Sequence, residues 1–323
     1  MLIDGYDTLL LDLDGVVYLG AHPVPGAPAA LERAQRHGVR LAYVTNNASR
    51  TPAAIAAHLR ELGAPASASD VVTSAQAAAR VVAEHVPPGA NVLVVGGSGL
   101  RFALRDQGLR PISVAAESPA AVVQGFAPGL SYGLLAEGAL AVRAGALFVA
   151  SNRDSTLPTG RGEQPGNGAL VRVIAAATGV EPIYAGKPDP PLHRESVIRT
   201  GARRPLVVGD RLDTDIEGAF NAGVESLLVL TGVATPVEVL TAEPRHRPTY
   251  IGDDLEALLQ PYPEVRDGAC GGWRAHWTDG VLRLDGDGTR IDGLRAACHA
   301  AWAAAGEGHV DADAVKPALD RLG

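Results

Sequence analysis

The feature that most constrains this chain is a short apolar run that ends in acid, Leu9-Leu10-Leu11-Asp12-Leu13-Asp14-Gly15-Val16-Val17-Tyr18. A run so brief and uninterrupted is too short for an independent helix and reads as a buried strand. Asp12 and Asp14 are two residues apart, so continued strand pairing turns them the same way, ~6–7 Å apart along the chain. Gly15 then gives the backbone freedom for a sharp turn. Carboxylates at the carboxyl end of a buried parallel strand sit where open α/β sheets place their ligands. They repel unless they share a cation or one of them holds a proton, which predicts hard-metal chemistry. A solvated acidic corner would look the same in isolation, so the decision rests on the remaining strand ends.

Those ends repeat the pattern. Helical spacing over Ala27–His37 stops at Gly38, and a second apolar run, Val39–Val44, ends in Thr45-Asn46-Asn47. A hydroxyl and two amides can donate hydrogen bonds to an anion, and Thr51-Pro52 opens a helix whose N-terminus favours negative charge. The same residue types also serve as ordinary helix caps. Leu206-Val207-Val208 stops at Gly209-Asp210-Arg211-Leu212-Asp213-Thr214-Asp215, followed by a helix over Asp215–Ala222 and a strand over Ser226–Leu230.

Between these runs lies a block that restarts the alternation. After a helix over Ser74–His85 and the break Pro87-Pro88-Gly89, strands are expected at Asn91–Val95, Ala121–Phe126, Ala146–Ala150 and Pro182–Tyr184. Helices are expected at Leu100–Gln107, Ser131–Ala144 and Gly168–Ala177. This predicts a second α/β unit inserted into the first. Gly96-Gly97-Ser98-Gly99 lacks the Lys-Ser/Thr ending of a phosphate-cradling loop and reads as a plain turn. Ser151-Asn152-Arg153-Asp154 and the loop carrying Leu157, Pro158 and Gly160 put polar groups at a strand end, where local side-chain hydrogen bonds are an equal reading.

Composition singles out one more residue. Cations are almost all Arg, and the only lysines are Lys187 and Lys316. A chain so biased should keep Lys where a compact, flexible point charge is needed. Lys187 lies in Gly186-Lys187-Pro188-Asp189-Pro190, whose prolines fix a rigid loop. The net charge of −8, with no Lys/Arg cluster, speaks against a nucleic-acid partner. No apolar run approaches the ~20 residues of a membrane span. Cys270 and Cys298 form no metal spacing or disulfide framework, which fits a reducing cytoplasm. Beyond Tyr262 the pattern changes to a hairpin around Asp279-Gly280 and helices over Leu294–Ala304 and Ala312–Leu322. This tail is too small for a robust core of its own and should pack on the main body or on another subunit.

With these residues in hand the sequence resembles the haloacid dehalogenase-like hydrolases, specifically the class IIA branch with an α/β cap. Asp12-Leu13-Asp14-Gly15-Val16, Thr45-Asn46-Asn47, Gly186-Lys187-Pro188, and Gly209-Asp210 through Thr214-Asp215 match the superfamily's four motifs in order. The resemblance implies a Rossmann-like, doubly wound parallel α/β core over residues 1–80 and 186–261. It implies an inserted α/β cap over 81–185, and leaves 262–323 as a small α+β extension similar to those on some actinobacterial members, which have been likened to an acetyltransferase fragment. It makes Asp12 a nucleophile that forms an aspartyl phosphate, and Asp14 the acid and then the base. Mg²⁺ would be held by the Asp12 carboxylate, the Asp14 carbonyl and Asp210, with Asp215 behind them. Thr45 and Asn46 would hold the phosphoryl oxygens, Lys187 would bridge Asp12 and the phosphate, and Asn47, Asn152, Arg153 and the Leu157 loop would meet the rest of a small phosphorylated metabolite.

The pyridoxal-phosphate member of the branch carries His-Pro in that loop. Leu157-Pro158 here argues against an aromatic aldehyde cofactor as substrate, and a small polyol or hydroxy-acid phosphate is expected, with glycerol 3-phosphate first and 2-phosphoglycolate second. A broad p-nitrophenyl phosphatase, a phosphotransferase and a non-catalytic phosphometabolite sensor are the alternatives. Cap-mediated dimers in the resembling family are consistent with a homodimer.

Overall fold

The computed structural model describes residues 1–159 and 161–322. Gly160, part of the loop expected after Asp154, lies outside the described residues, as do the side chains of Pro158 and Thr159. The chain divides into two compact units, one made of Met1–Leu41 with Arg203–Gly323 and the other of Ala42–Ala202.

In the first unit four parallel strands lie in the order Tyr250–Gly252, Glu225–Val229, Pro205–Gly209, Thr8–Leu11. The runs Leu9–Leu11 and Leu206–Val208 are buried along their whole length, as their continuous apolar sequence requires. Leu11 is in register with Val208, so the two runs stop side by side and Asp12 and Asp210 follow at the same sheet edge. The tail belongs to this unit. An antiparallel sheet of Ala269–Cys270, Trp273–Thr278 and Val281–Gly286 is followed by helices Arg290–Ala305 and Ala312–Leu322. Trp273, Leu284, Leu294 and Ala297 share one apolar core with Leu228, Val239, Leu240 and Ile251.

In the second unit the end of strand Arg40–Thr45 pairs in parallel with Val71–Thr73. A five-stranded parallel sheet follows, ordered Ile183–Tyr184, Leu147–Ala150, Ala121–Gln124, Asn91–Val95, Arg110–Ile112. Helices Ser98–Asp106, Tyr132–Arg143 and Asn167–Thr178 connect and cover it. The segment expected as a loop around Leu157 is an antiparallel hairpin, Thr156–Thr159 with Gly162–Pro165. The glycines of the Gly96–Gly99 turn are needed for close backbone approach. A Cβ on Gly99 would lie 2.4 Å from the Ala48 carbonyl oxygen and 2.6 Å from that of Arg50.

No helix among the described residues is long and apolar enough to cross a membrane.

Candidate active site

In the first unit, carboxylate oxygens of Asp12, Asp210 and Asp215 all lie within 4.8 Å of one another, with Asp210 and Asp215 buried. Backbone pairing brings two of them there. The Asp12 N–H continues the sheet ladder by donating to the Val208 carbonyl at 2.9 Å, and Asp210 follows the adjacent strand. The third acid arrives because the chain after Asp210 makes one wide π-helical turn over Leu212–Ile216, and the Arg211 N–H donates to Asp215 Oδ2 at 3.2 Å.

Three glycines make room for these acids. A Cβ on Gly15, whose φ is +84°, would lie 2.3 Å from Asp210 Oδ2, one on Gly232 would lie 2.0 Å from the same atom, and one on Gly209 would lie 2.2 Å from Asp215 Cβ. Asp210 Oδ2 is oriented by the Val233 N–H at 2.8 Å, and the Thr231 hydroxyl donates to the Gly15 carbonyl at 2.5 Å. Sequence reasoning gave the Thr231-Gly232-Val233 loop no role. Its only signal was its place after a buried strand.

Three like charges so close disfavour one another's ionised form unless a cation is shared. An all-oxygen set of carboxylates suits a hard divalent ion such as Mg²⁺. Asp215, expected behind the ligands, stands in the group itself. The Asp14 side chain is exposed, 3.5 Å from the Tyr18 hydroxyl, and outside the group.

The second unit carries the amides and the lysine. The Thr45 hydroxyl is buried and accepts from the Asn47 N–H at 3.1 Å, and the Asn47 side chain accepts from Ser49 N–H and Oγ, both at 2.9 Å. Asn46 and Lys187 meet directly. The Lys187 N–H donates to Asn46 Oδ1 at 2.8 Å, Asn46 Nδ2 donates to the Lys187 carbonyl at 3.1 Å, and Lys187 Nζ donates to the Val44 carbonyl at 3.2 Å. Asn152, expected to face a substrate, is buried. Its Nδ2 donates to the Asn46 carbonyl at 2.8 Å, and its Oδ1 accepts from the Asp154 N–H at 3.2 Å. Arg153 is exposed, ion-paired with Asp189 and stacked 4.7 Å from the Tyr184 ring centre. Ser74, whose hydroxyl donates to the Asn46 carbonyl at 2.6 Å, was not foreseen.

Two family descriptions cover the motifs. Residues 9–110 match the haloacid dehalogenase-like hydrolases and residues 184–258 match a HAD-hydrolase-like family. The chain is 47% identical over 308 residues to a D-glycerol 3-phosphate phosphatase of Mycobacterium tuberculosis, covering 93% of this chain and 86% of that one. This protein belongs to the haloacid dehalogenase-like hydrolases.

Solved structures of haloacid dehalogenase-like relatives agree in fold. A glycerol phosphate phosphatase of Mycobacterium tuberculosis in complex with magnesium superposes with a TM-score of 0.90 at 44% identity, covering 99% of this chain and 98% of that one. A double-mutant thermostable NPPase from Geobacillus stearothermophilus gives 0.71 at 34% identity, covering 78% of this chain and 97% of that one. Residues 270–323 match a GCN5-related N-acetyltransferase like domain.

Proposed function

We propose that this chain is a Mg²⁺-dependent phosphatase that hydrolyses glycerol 3-phosphate through an aspartyl phosphate on Asp12. The observation that carries the reading is the grouping of Asp12, Asp210 and Asp215 at the edge of a parallel sheet, in a chain 47% identical to a D-glycerol 3-phosphate phosphatase.

Phosphate monoesters resist attack because their own charge repels nucleophiles, and their uncatalysed hydrolysis is among the slowest reactions enzymes accelerate. When bound, Mg²⁺ neutralises part of that charge, and Asp12, Asp210, Asp215 and the Asp14 carbonyl are the groups assigned to hold it. In the first step an Asp12 oxygen forms a bond to phosphorus as the ester P–O bond breaks, and Asp14 gives its proton to the leaving alkoxide. In the second, Asp14 takes a proton from water, whose oxygen forms a bond to phosphorus as the bond between phosphorus and the Asp12 oxygen breaks, so that phosphate is released and the Asp12 carboxylate regenerated. Splitting one hard displacement into two lowers the barrier of each. Lys187 supplies a positive charge for the equatorial oxygens of the transferring group. Thr45 and the main chain of Asn46 are assigned to hold those oxygens, and Asn47 and Arg153 to meet the leaving group.

In this reading residues 1–80 and 186–261 are the core domain, 81–185 the cap and 262–323 an extension. The enzyme works as a homodimer in the cytoplasm, where the free thiols of Cys270 and Cys298 stay reduced.

Phosphate release from glycerol 3-phosphate, 2-phosphoglycolate and p-nitrophenyl phosphate, ranked by kcat/KM, tests the substrate, and glycerol 3-phosphate should lead. Asp12→Asn should reduce turnover of each by about 10³-fold or more while leaving the circular dichroism spectrum and Tm near wild type. Turnover retained by the folded variant would remove Asp12 as the nucleophile. Phosphate appearing on an added alcohol acceptor instead of in solution would make the enzyme a phosphotransferase.

A further inference from the structure

We propose that the Asn46 side chain is the positioning residue of Lys187. It grips the lysine's main chain and does not itself serve as a ligand of the phosphoryl group. One amide satisfies both peptide groups of one residue, 141 positions away: Oδ1 accepts from the Lys187 N–H at 2.8 Å and Nδ2 donates to its carbonyl at 3.1 Å. Such a grip needs a donor and an acceptor on the same short planar group, which Asn supplies and Ala or Ser does not.

The grip is itself held. The Asn46 carbonyl accepts from Ser74 Oγ at 2.6 Å and from Asn152 Nδ2 at 2.8 Å, and the Asn152 carbonyl accepts from Asn167 Nδ2 at 2.9 Å. The neighbour of Lys187 is fitted to the same contact, since a Cβ on Gly186 would lie 2.5 Å from Asn46 Oδ1 and 2.5 Å from the Ser151 carbonyl oxygen. At the other end of the lysine, Nζ donates to the Val44 carbonyl at 3.2 Å, two residues before Asn46. Both ends of a long flexible side chain are therefore fixed by one short segment, 44–46. A misplacement of ~1 Å in a charged group that meets a transition state can cost about 10²-fold in rate, which is the scale of what this grip protects.

The kinetic half of this inference rests on the phosphatase reading, and the structural half does not. Because Lys187 and Lys316 are the only lysines, full-length protein labelled with ¹³C at lysine Cε gives one signal for each, and Lys316→Arg assigns them. In Asn46→Ala the Lys187 signal should shift or split while that of Lys316 stays in place. With glycerol 3-phosphate, kcat should fall about 10- to 100-fold. In a Lys187→Ala background the same substitution should cost less than about 2-fold, because its effect acts through the lysine.

An unmoved Lys187 signal in folded Asn46→Ala overturns the proposal, as do losses that multiply across the double variant. Asn46→Ser, whose single hydroxyl cannot span both the N–H and the carbonyl of Lys187, carries the same test if Asn46→Ala does not fold. If the wild-type protein releases no phosphate from any monoester, the phosphatase reading fails while the two lysine signals still decide the grip.

Discussion

At the scale of single residues the acidic group makes a prediction separable from catalysis. Asp12, Asp210 and Asp215 repel one another in a metal-free protein, and a cation that binds them stabilises only the folded chain. Mg²⁺ added after EDTA treatment should raise Tm, and at a hundred times its Kd the gain is about 2.7 kcal/mol. Asp210→Asn should abolish that rise, and in EDTA it should melt no lower than wild type because one repelling charge is gone. Asp14→Asn should keep the Mg²⁺ response, since the exposed Asp14 carboxylate stands outside the group. Thermal melts of the three proteins with and without Mg²⁺ check this, and a full Mg²⁺ response in Asp210→Asn would remove that residue from the site. Asp12 and Asp210 were legible in the sequence because each follows an unbroken apolar run, and Asp215 through the resemblance to the family's fourth motif. The Asn46 grip was not, because a bond from a side-chain amide to the main chain of Lys187 leaves no mark on the residue types. Thr45-Asn46-Asn47, taken alone, reads as a cap before it reads as an anion site. Gly232 leaves no mark as a space-maker for Asp210, because the two come together only in the folded chain.

At the scale of elements, the helix Pro190–Thr200 that follows Lys187 explains both a gap in the sequence reading and two expected behaviours. It was not foreseen because its buried face is Leu192, Glu195, Ser196 and Thr200, so no apolar period announces it. The short strand Arg110–Ile112 was missed because Pro111 stands in it, tolerable only at a sheet edge, which is where it lies. Glu195 is fully buried and ion-paired with both Arg80, on the helix Ser74–His85, and Arg199. Removing one member of a buried ion group leaves the others uncompensated, so Glu195→Ala should destabilise by about 3–5 kcal/mol in urea melts, and Glu195→Gln, which keeps an acceptor, by less. His193, on the same helix, is held by burial below its ordinary value of 6.5. The unfolded chain then takes up a proton that the folded chain refuses. Stability from this group is therefore whole above about pH 6.5 and is lost as the pH falls through the folded-state value. His193→Gln should show a shallower decline of Tm between about pH 7 and 5 than wild type, and equal slopes would remove His193 as a cause.

At the scale of the whole molecule the question is whether residues 262–323 form an appendage or part of the first unit's core. The sequence left docking on the main body or on another subunit open, because a hairpin and two helices specify how they pack together and not what they pack upon. Their contacts decide it. Arg295, nearly buried on the helix Arg290–Ala305, donates from Nε and Nη2 to the Ile251 carbonyl at 2.9 and 2.7 Å, and its guanidinium stacks 4.5 Å from the Tyr262 ring centre. Trp302 Nε1 donates to the Val239 carbonyl at 3.2 Å, and Leu294, Ala297 and Cys298 join the apolar cluster that includes Leu240 and Ile251. A chain ending at residue 261 would leave that cluster open to water and lose a partner for the Ile251 carbonyl, so it should aggregate or melt without cooperativity. Leu294→Ala, milder and testable in a folded protein, should cost about 2–5 kcal/mol. The thiols report the same seam. Burial and the nearby Asp292 push Cys270 up to about 11, and burial pushes Cys298 up as well, so both should be inert towards a thiol reagent in the native chain. In Leu294→Ala both should react faster in proportion to the lost stability, because opening the seam exposes them together. A 1–261 chain with wild-type Tm, or thiols in the intact protein that react at the rate of the unfolded chain, would make the tail an appendage.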